Sequence, residues 1–155
     1  TVYMEVQPKF ALQKEKLDRI MEKEKLYTNK DVSVEMITNR LHTTRTYLAQ
    51  MMKEAYGMPF TTYINTLRVE EAKRIISSQE ATKMEEVAMM SGFSSASTFT
   101  KTFKAITGQT PHTWRGELRR SLHIGINRDR IDYKSAVLMD IKNSSLSLRT
   151  ALYMF

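Results

Sequence analysis

The sequence predicts an all-α fold built from two helix-turn-helix units joined by a long linker helix, and three observations carry that expectation. Residues 84–115, MEEVAMMSGFSSASTFTKTFKAITGQTPHTWR, restate an earlier stretch of the chain. An offset of 51 sets Ser95 on Thr44, Phe99 on Leu48, Phe103 on Met52, Lys104 on Lys53, Gly108 on Gly57, Pro111 on Phe60 and Trp114 on Tyr63. Upstream of Thr44 the best offset is 50, which sets Val87 on Ile37 and Gly92 on His42, so the second copy has one extra turn residue. Each copy also holds two short runs of helical apolar period separated by a turn signal, and a longer helical run lies between the copies. A repeat at fixed spacing means one structural unit used twice.

Taken in chain order, residues 1–13 are a leading segment. Residues 14–25, KEKLDRIMEKEK, alternate sign around Leu17, Ile20 and Met21, the pattern of a solvated supporting helix that packs one stripe. The first unit, 33–56, places Val34, Met36, Ile37 and Leu41 on one helix, a turn at His42–Thr43, a cap at Thr44, and Tyr47, Leu48, Met51, Met52 and Ala55 on the next helix. Residues 60–78 follow, with Phe60, Tyr63, Ile64, Leu67, Ala72, Ile75 and Ile76 at helical spacing and Pro59 at a tolerated position before them. Such a helix is roughly 28 Å long, close to the ~34 Å between successive major-groove faces of B-DNA, although a core helix could share that length.

In the second unit, 83–107, Thr82 is expected to cap a helix whose apolar residues are Met84, Val87, Ala88 and either Met90 or Ser91. Gly92 breaks it with the left-handed geometry of a sharp turn. Ser94 or Ser95 then caps a helix over 96–107 with Phe99, Phe103 and Ile106 on its buried face. Ala88 is small where two steeply crossing helices approach. Any single αα-hairpin could be a mere packing motif; two matched copies make that reading improbable. Residues 118–155 have no sustained period and are too apolar for a comfortable disordered segment; an appended or poorly ordered segment is the favoured reading, and a small dimerising or core-covering element the other option.

Composition narrows the function classes. A net charge of +7 and a pI near 9.6 favour a polyanionic partner. Residues 1–35 are neutral, with seven basic and seven acidic side chains, so the excess lies on the repeats and the tail. The absence of cysteine excludes disulfides, thiolate metal sites and thiol nucleophiles, and suits a reducing cytoplasm. His42, His112 and His123 have no partner at metal-ligand spacing, and five glycines form no phosphate-cradling loop. The eleven methionines fall mostly at core spacing, with copper binding a distant alternative. No cofactor, metal or catalytic residue is expected, and no apolar run is long enough for a membrane span.

The second copy, GFSSASTFTKTFK followed by TGQTPHTWR, resembles the AraC/XylS-type DNA-binding domain, and LRVEEAKRII resembles that family's linker helix. The resemblance covers residues 14–117 and is weaker in the first copy, where Thr38 and His42 replace the usual small apolar residue and turn glycine. It implies a seven-helix domain: a leading helix, two helix-turn-helix units, the linker helix and a short closing helix after Pro111. It also implies a bacterial cytoplasmic transcription regulator, commonly an activator, with RNA polymerase as a further partner and two recognition helices in adjacent major grooves. A sensor or dimerising region would lie outside this segment.

On such helices the first-turn residues and those one turn later face the groove. This selects Arg45, Thr46 and Gln50 in the first unit and Ala96, Ser97 and Lys101 in the second as base-reading candidates, with a solvated helix face as the bland alternative for each. Arg45 suits guanine and Gln50 adenine, Ala96 offers only a methyl, and Lys101 suits guanine or a phosphate. The second unit is therefore expected to add more affinity than discrimination. Thr44, Lys53, Ser95 and Lys104 are the phosphate candidates. Arg68 and Arg115 are open between a partly buried structural pair and a phosphate clamp, whereas Tyr63 and Trp114 read as core anchors. A nonspecific DNA-binding protein and a helical protein-interaction module are the competing functions.

Overall fold

The computed structural model describes residues 8–81 and 83–125, with side chains through Leu122, and every regular element among them is helical. Seven α-helices occur in order: α1 (Pro8–Arg19), α2 (Val34–Leu41), α3 (Arg45–Met51), α4 (Phe60–Ser78), α5 (Met84–Met90), α6 (Ala96–Thr107) and α7 (Pro111–Gly125). Wider π-type turns, Ile20–Glu24 and Met52–Tyr56, extend α1 and α3, and a 3-10 turn covers Leu26–Thr28. The chain divides into two compact units between Leu67 and Arg68, so α4 supplies its first half to one and its second half to the other.

In the first unit α1 begins at Pro8, six residues before the expected helix, because Phe10 is a buried core residue along with Leu17, Ile20 and Met21. Phe10 meets Tyr47 of α3 edge-on at 5.2 Å between centroids, and the Tyr47 hydroxyl donates to the Lys9 carbonyl. Tyr56 donates to Asp18, which also pairs with Lys14 at 2.6 Å. Arg40 of α2 donates through Nη2 to both Glu24 carboxylate oxygens, at 2.6 and 2.9 Å, and holds that carboxyl below its usual range. Ile37, Leu41, Leu48, Met51 and Met52 fill the interior, with Tyr63 and Ile64 from α4 buried beside the same unit's chain.

The second unit has an aromatic core. Phe93, Phe99, Phe103 and Trp114 follow one another at 5.2, 5.7 and 6.0 Å, and Val69, Ala72, Ile75, Val87 and Ala88 close around them. Burial on α4 is broader than one apolar stripe: Glu70, Glu71, Lys73 and Ser77 are buried as well. Lys73 lies 3.3 Å from Glu70, with 1% and 3% of their side chains exposed, and its ammonium stands 5.8 Å from the Trp114 ring centre. Arg74 clasps Glu71 at 2.8 Å and Glu80 at 2.7 Å, which ties the end of α4 to the segment after it. The closing helix is longer than a short cap: α7 runs to Gly125 and sets Leu118 against the core, so 118–125 are helical. The rest of the expected tail, 126–155, lies outside the described residues, as do residues 1–7.

Both turns are the same motif. Thr43 N–H bonds to the Thr38 carbonyl at 3.0 Å, and Phe93 N–H to the Ala88 carbonyl at 2.9 Å, each six-residue loop closing over a left-handed residue. That residue is His42 at φ 52° in the first unit and Gly92 at φ 100° in the second. The offset of 50 therefore holds through Phe93, and the single extra residue is Ser94, after which Ser95 caps α6 at an offset of 51. Thr38 is buried where Ala88 is buried, its hydroxyl donating to the Glu35 carbonyl at 3.0 Å. On α5 the inner position is Ser91, whose hydroxyl donates to Val87 and Ala88, while Met90 is exposed. Thr82, the expected cap of α5, lies outside the described residues; the position before the helix is Lys83, which makes no side-chain cap bond.

A left-handed conformation costs an L-residue about 1–2 kcal/mol, while glycine costs the unfolded chain about 0.4–1 kcal/mol of extra freedom. His42→Gly should therefore raise stability by about 0.5 kcal/mol in urea titration, since His42 is exposed. Lys73→Met, which takes the ammonium from beside the buried Glu70 carboxylate, should cost about 3 kcal/mol or more, and replacing Glu70 and Lys73 together by apolar residues should cost much less.

Candidate nucleic-acid interface

Two helices, α3 and α6, occupy equivalent places in their units, and each shows solvent a polar face opposite a buried stripe. On α3 and its π-type extension the stripe is Leu48, Met51 and Met52, and Arg45, Thr46, Ala49, Gln50 and Lys53 are exposed. On α6 the stripe is Phe99 and Phe103, and Ser97, Thr98, Thr100, Lys101 and Lys104 are exposed, with Ala96 half-buried. The ten residues singled out from the sequence thus all lie on these two faces or at their N-terminal caps. Ala49 and Thr100 share the faces at the same 51-residue spacing and lie between the first-turn and next-turn positions that the sequence argument selects.

The caps orient both helices. Thr44 has extended backbone and its hydroxyl accepts from the Tyr47 amide at 3.1 Å. Ser95 does the same for the Thr98 amide at 3.1 Å, and its hydroxyl also donates to the Thr98 hydroxyl at 3.0 Å. A capping side chain satisfies one of the unpaired amides of the first turn and fixes where the helix starts, hence which residues come first on its exposed face. Gly57 and Gly108 end the two helical stretches at φ 71° and 81°.

Charge on the faces is uneven. The Arg45 guanidinium lies 3.9 Å from the Glu35 carboxylate of α2, with 72% and 73% of the two side chains exposed. Periodicity could not reveal this approach, because it spans the turn between two helices. On α6, Lys101 and Lys104 are exposed, while the acidic pair Glu85 and Glu86 belongs to α5. Arg68 is half-buried, its guanidinium 5.9 Å from the Phe93 ring centre, and burial lowers its proton affinity. Arg115 is half-buried with Nη2 3.3 Å from His112 Nδ1. Tyr63 and Trp114 are buried as expected of core anchors. Burial, with the Asp18 charge added, pushes the Tyr63 hydroxyl well above its ordinary range.

Among the described residues no group of three or more histidine, cysteine, aspartate or glutamate side chains is arranged to hold a metal ion, and no helix is long and apolar enough to cross a membrane. Thr44→Ala and Ser95→Ala should each lower stability by about 1 kcal/mol in urea titration, the usual size of a lost cap.

A family profile described as a helix-turn-helix domain matches residues 37–117, just over half of the chain. An uncharacterized HTH-type transcriptional regulator of Staphylococcus aureus is 30% identical over 106 residues, which are 68% of this chain and 14% of that protein. The chain thus spans about 14% of the length of the curated staphylococcal relatives it matches. The C-terminal domain of the two-component response regulator yesN from Fusobacterium nucleatum superposes with a TM-score of 0.59 at 28% identity, over 66% of this chain and 97% of that one. The DNA-binding domain of the global transcriptional factor AdpA, solved with a target DNA, has the same fold, with a TM-score of 0.62 at 22% identity over 70% of this chain and 94% of that one. The chain belongs to the helix-turn-helix domain family of the AraC type, a family of DNA-binding transcription regulators.

Proposed function

We propose that this chain binds double-stranded DNA sequence-specifically and so regulates transcription, with α3 and α6 entering successive major grooves. The observation that carries the reading is the matched pair of exposed polar helix faces, each set by a hydroxyl cap and backed by a buried stripe. Residues 14–117 act as the binding domain, and no catalytic step is involved. In the first groove Arg45 donates bidentately to guanine, Gln50 pairs with adenine, and Thr46 contacts either a base edge or its methyl group. In the second groove Ala96 offers a methyl, Ser97 a single hydroxyl and Lys101 a flexible point charge, a set that grips more than it discriminates. Thr44, Lys53, Ser95 and Lys104 contact phosphates and fix the register.

Recruitment of RNA polymerase in the bacterial cytoplasm, leading to activation, follows as the regulatory consequence. The AdpA domain's complex with a target DNA supports the DNA partner, and the much longer staphylococcal relatives leave room for a sensor or dimerising region in a larger regulator.

Electrophoretic or anisotropy titration of the chain with duplex DNA at several salt concentrations tests the reading. The two charged phosphate contacts, Lys53 and Lys104, should make binding fall roughly tenfold between about 50 and 200 mM salt. Lys53→Ala or Lys104→Ala should lower the slope by about 1 without altering sequence preference, whereas Arg45→Ala should cost about 1–3 kcal/mol on preferred DNA and relax one position. A flat salt response would point instead to a helical protein-interaction module, and a steep slope with no preferred sequence to nonspecific DNA binding.

A further inference from the structure

The approach of Glu35 to Arg45 is set by the tertiary fold. Glu35 is in the first turn of α2 and Arg45 is the first residue of α3, ten positions later, so no helical i,i+4 spacing brings them together. Their approach to 3.9 Å depends on the left-handed turn at His42, which folds the start of α3 back beside α2. Both side chains are about three-quarters exposed, and an ion pair so exposed adds little to stability. Its effect lies in where the guanidinium points.

We propose that Glu35 is a positioning residue for Arg45, trading general affinity for DNA against discrimination at the base that Arg45 reads. This rests on the assignment of Arg45 as a base-reading residue. A guanidinium is a planar fork of five donors, and reading guanine requires two of them aimed together at O6 and N7. A free arginine side chain samples many rotamers and finds a phosphate as readily as a base. At 3.9 Å the carboxylate makes no hydrogen bond to the fork, so it acts through its charge, drawing the guanidinium toward α2 and leaving its donors for the base edge. In the proposed docking the first helix of the unit crosses the DNA backbone, which would bring this first-turn carboxylate toward phosphates and repel them whatever the sequence.

These two effects have opposite signs in measurement, which distinguishes positioning from a loss of structure. The probes are a duplex selected from a random pool by the unmodified chain, its single-base variants, and a random-sequence duplex. Glu35→Gln removes the charge and should bind the random duplex about threefold more tightly. At the base pair whose discrimination Arg45→Ala relaxes, Glu35→Gln should also lower discrimination by about threefold or more. Glu35→Asp keeps the charge but shortens the reach, and should lose that discrimination without gaining affinity for random DNA. In an Arg45→Ala background, Glu35→Gln should alter discrimination at no position. Undiminished discrimination at that position in Glu35→Gln would overturn the proposal, as would an equal loss in the presence and absence of Arg45. If Arg45→Ala relaxes no position at all, the base-reading assignment falls and this inference falls with it.

Discussion

Leu48 and Phe99, fifty-one residues apart, are each wholly buried, and the direction in which α3 and α6 present their polar faces follows from that burial. A helix must bury one stripe to be held, and the side chains about half a turn away are then committed to solvent. With Leu48, Met51 and Met52 turned inward, Arg45, Thr46, Gln50 and Lys53 have nowhere else to point. Phe99 and Phe103 impose the same outcome on Ser97, Lys101 and Lys104. The hydroxyl caps at Thr44 and Ser95 then decide which residues come first on each face. Burial sets the rotation of the helix and the cap sets its start.

The two units reach that common geometry by different physical means. The second relies on stacked aromatic rings and on Gly92, which adopts its turn geometry without steric penalty. The first has, among the described residues, separate aromatic pairs, Phe10–Tyr47 and Tyr56–Tyr63, in place of a continuous column. To its apolar interior it adds bonds from α1 and its π-type extension, through Tyr47, Tyr56 and the Arg40–Glu24 pair, and it places a histidine where its counterpart has glycine. Strain at His42 coexists with the contact that brings Glu35 to Arg45. On the proposed reading, the unit with the strained turn bears the more discriminating side chains.

Much of this was legible from residue order alone, because it depends on local chemistry. Hydroxyls at Thr44 and Ser95, a break at Gly92 and the apolar periods of α3 and α6 are all read within one or two helical turns. What was hidden depends on partners distant in sequence. Phe10 belongs to the core because Tyr47 meets it, which carries α1 back to Pro8. Leu118 is ordered by the aromatic core, which carries α7 beyond the expected short cap. Glu70 and Lys73 look like solvated charges on an amphipathic helix, yet burial pairs them under Trp114. The shift in offset from 50 to 51 was visible, but only the two closing hydrogen bonds assign it to Ser94. The expected cap at Thr82 rested on its proximity to the helix start, and the cap position belongs to Lys83.

The central claim is that equivalent scaffolds carry unequal readers. Selection of bound duplexes from a random pool, followed by measurement of base preference at each position, tests it most directly. The account predicts one strongly specified half-site containing a guanine and an adenine suited to Arg45 and Gln50, with a weakly specified half-site about one helical turn, ~10 base pairs, away. Equal preference in both half-sites, or preference concentrated in the half-site that loses binding energy when Lys101 is replaced, would contradict it.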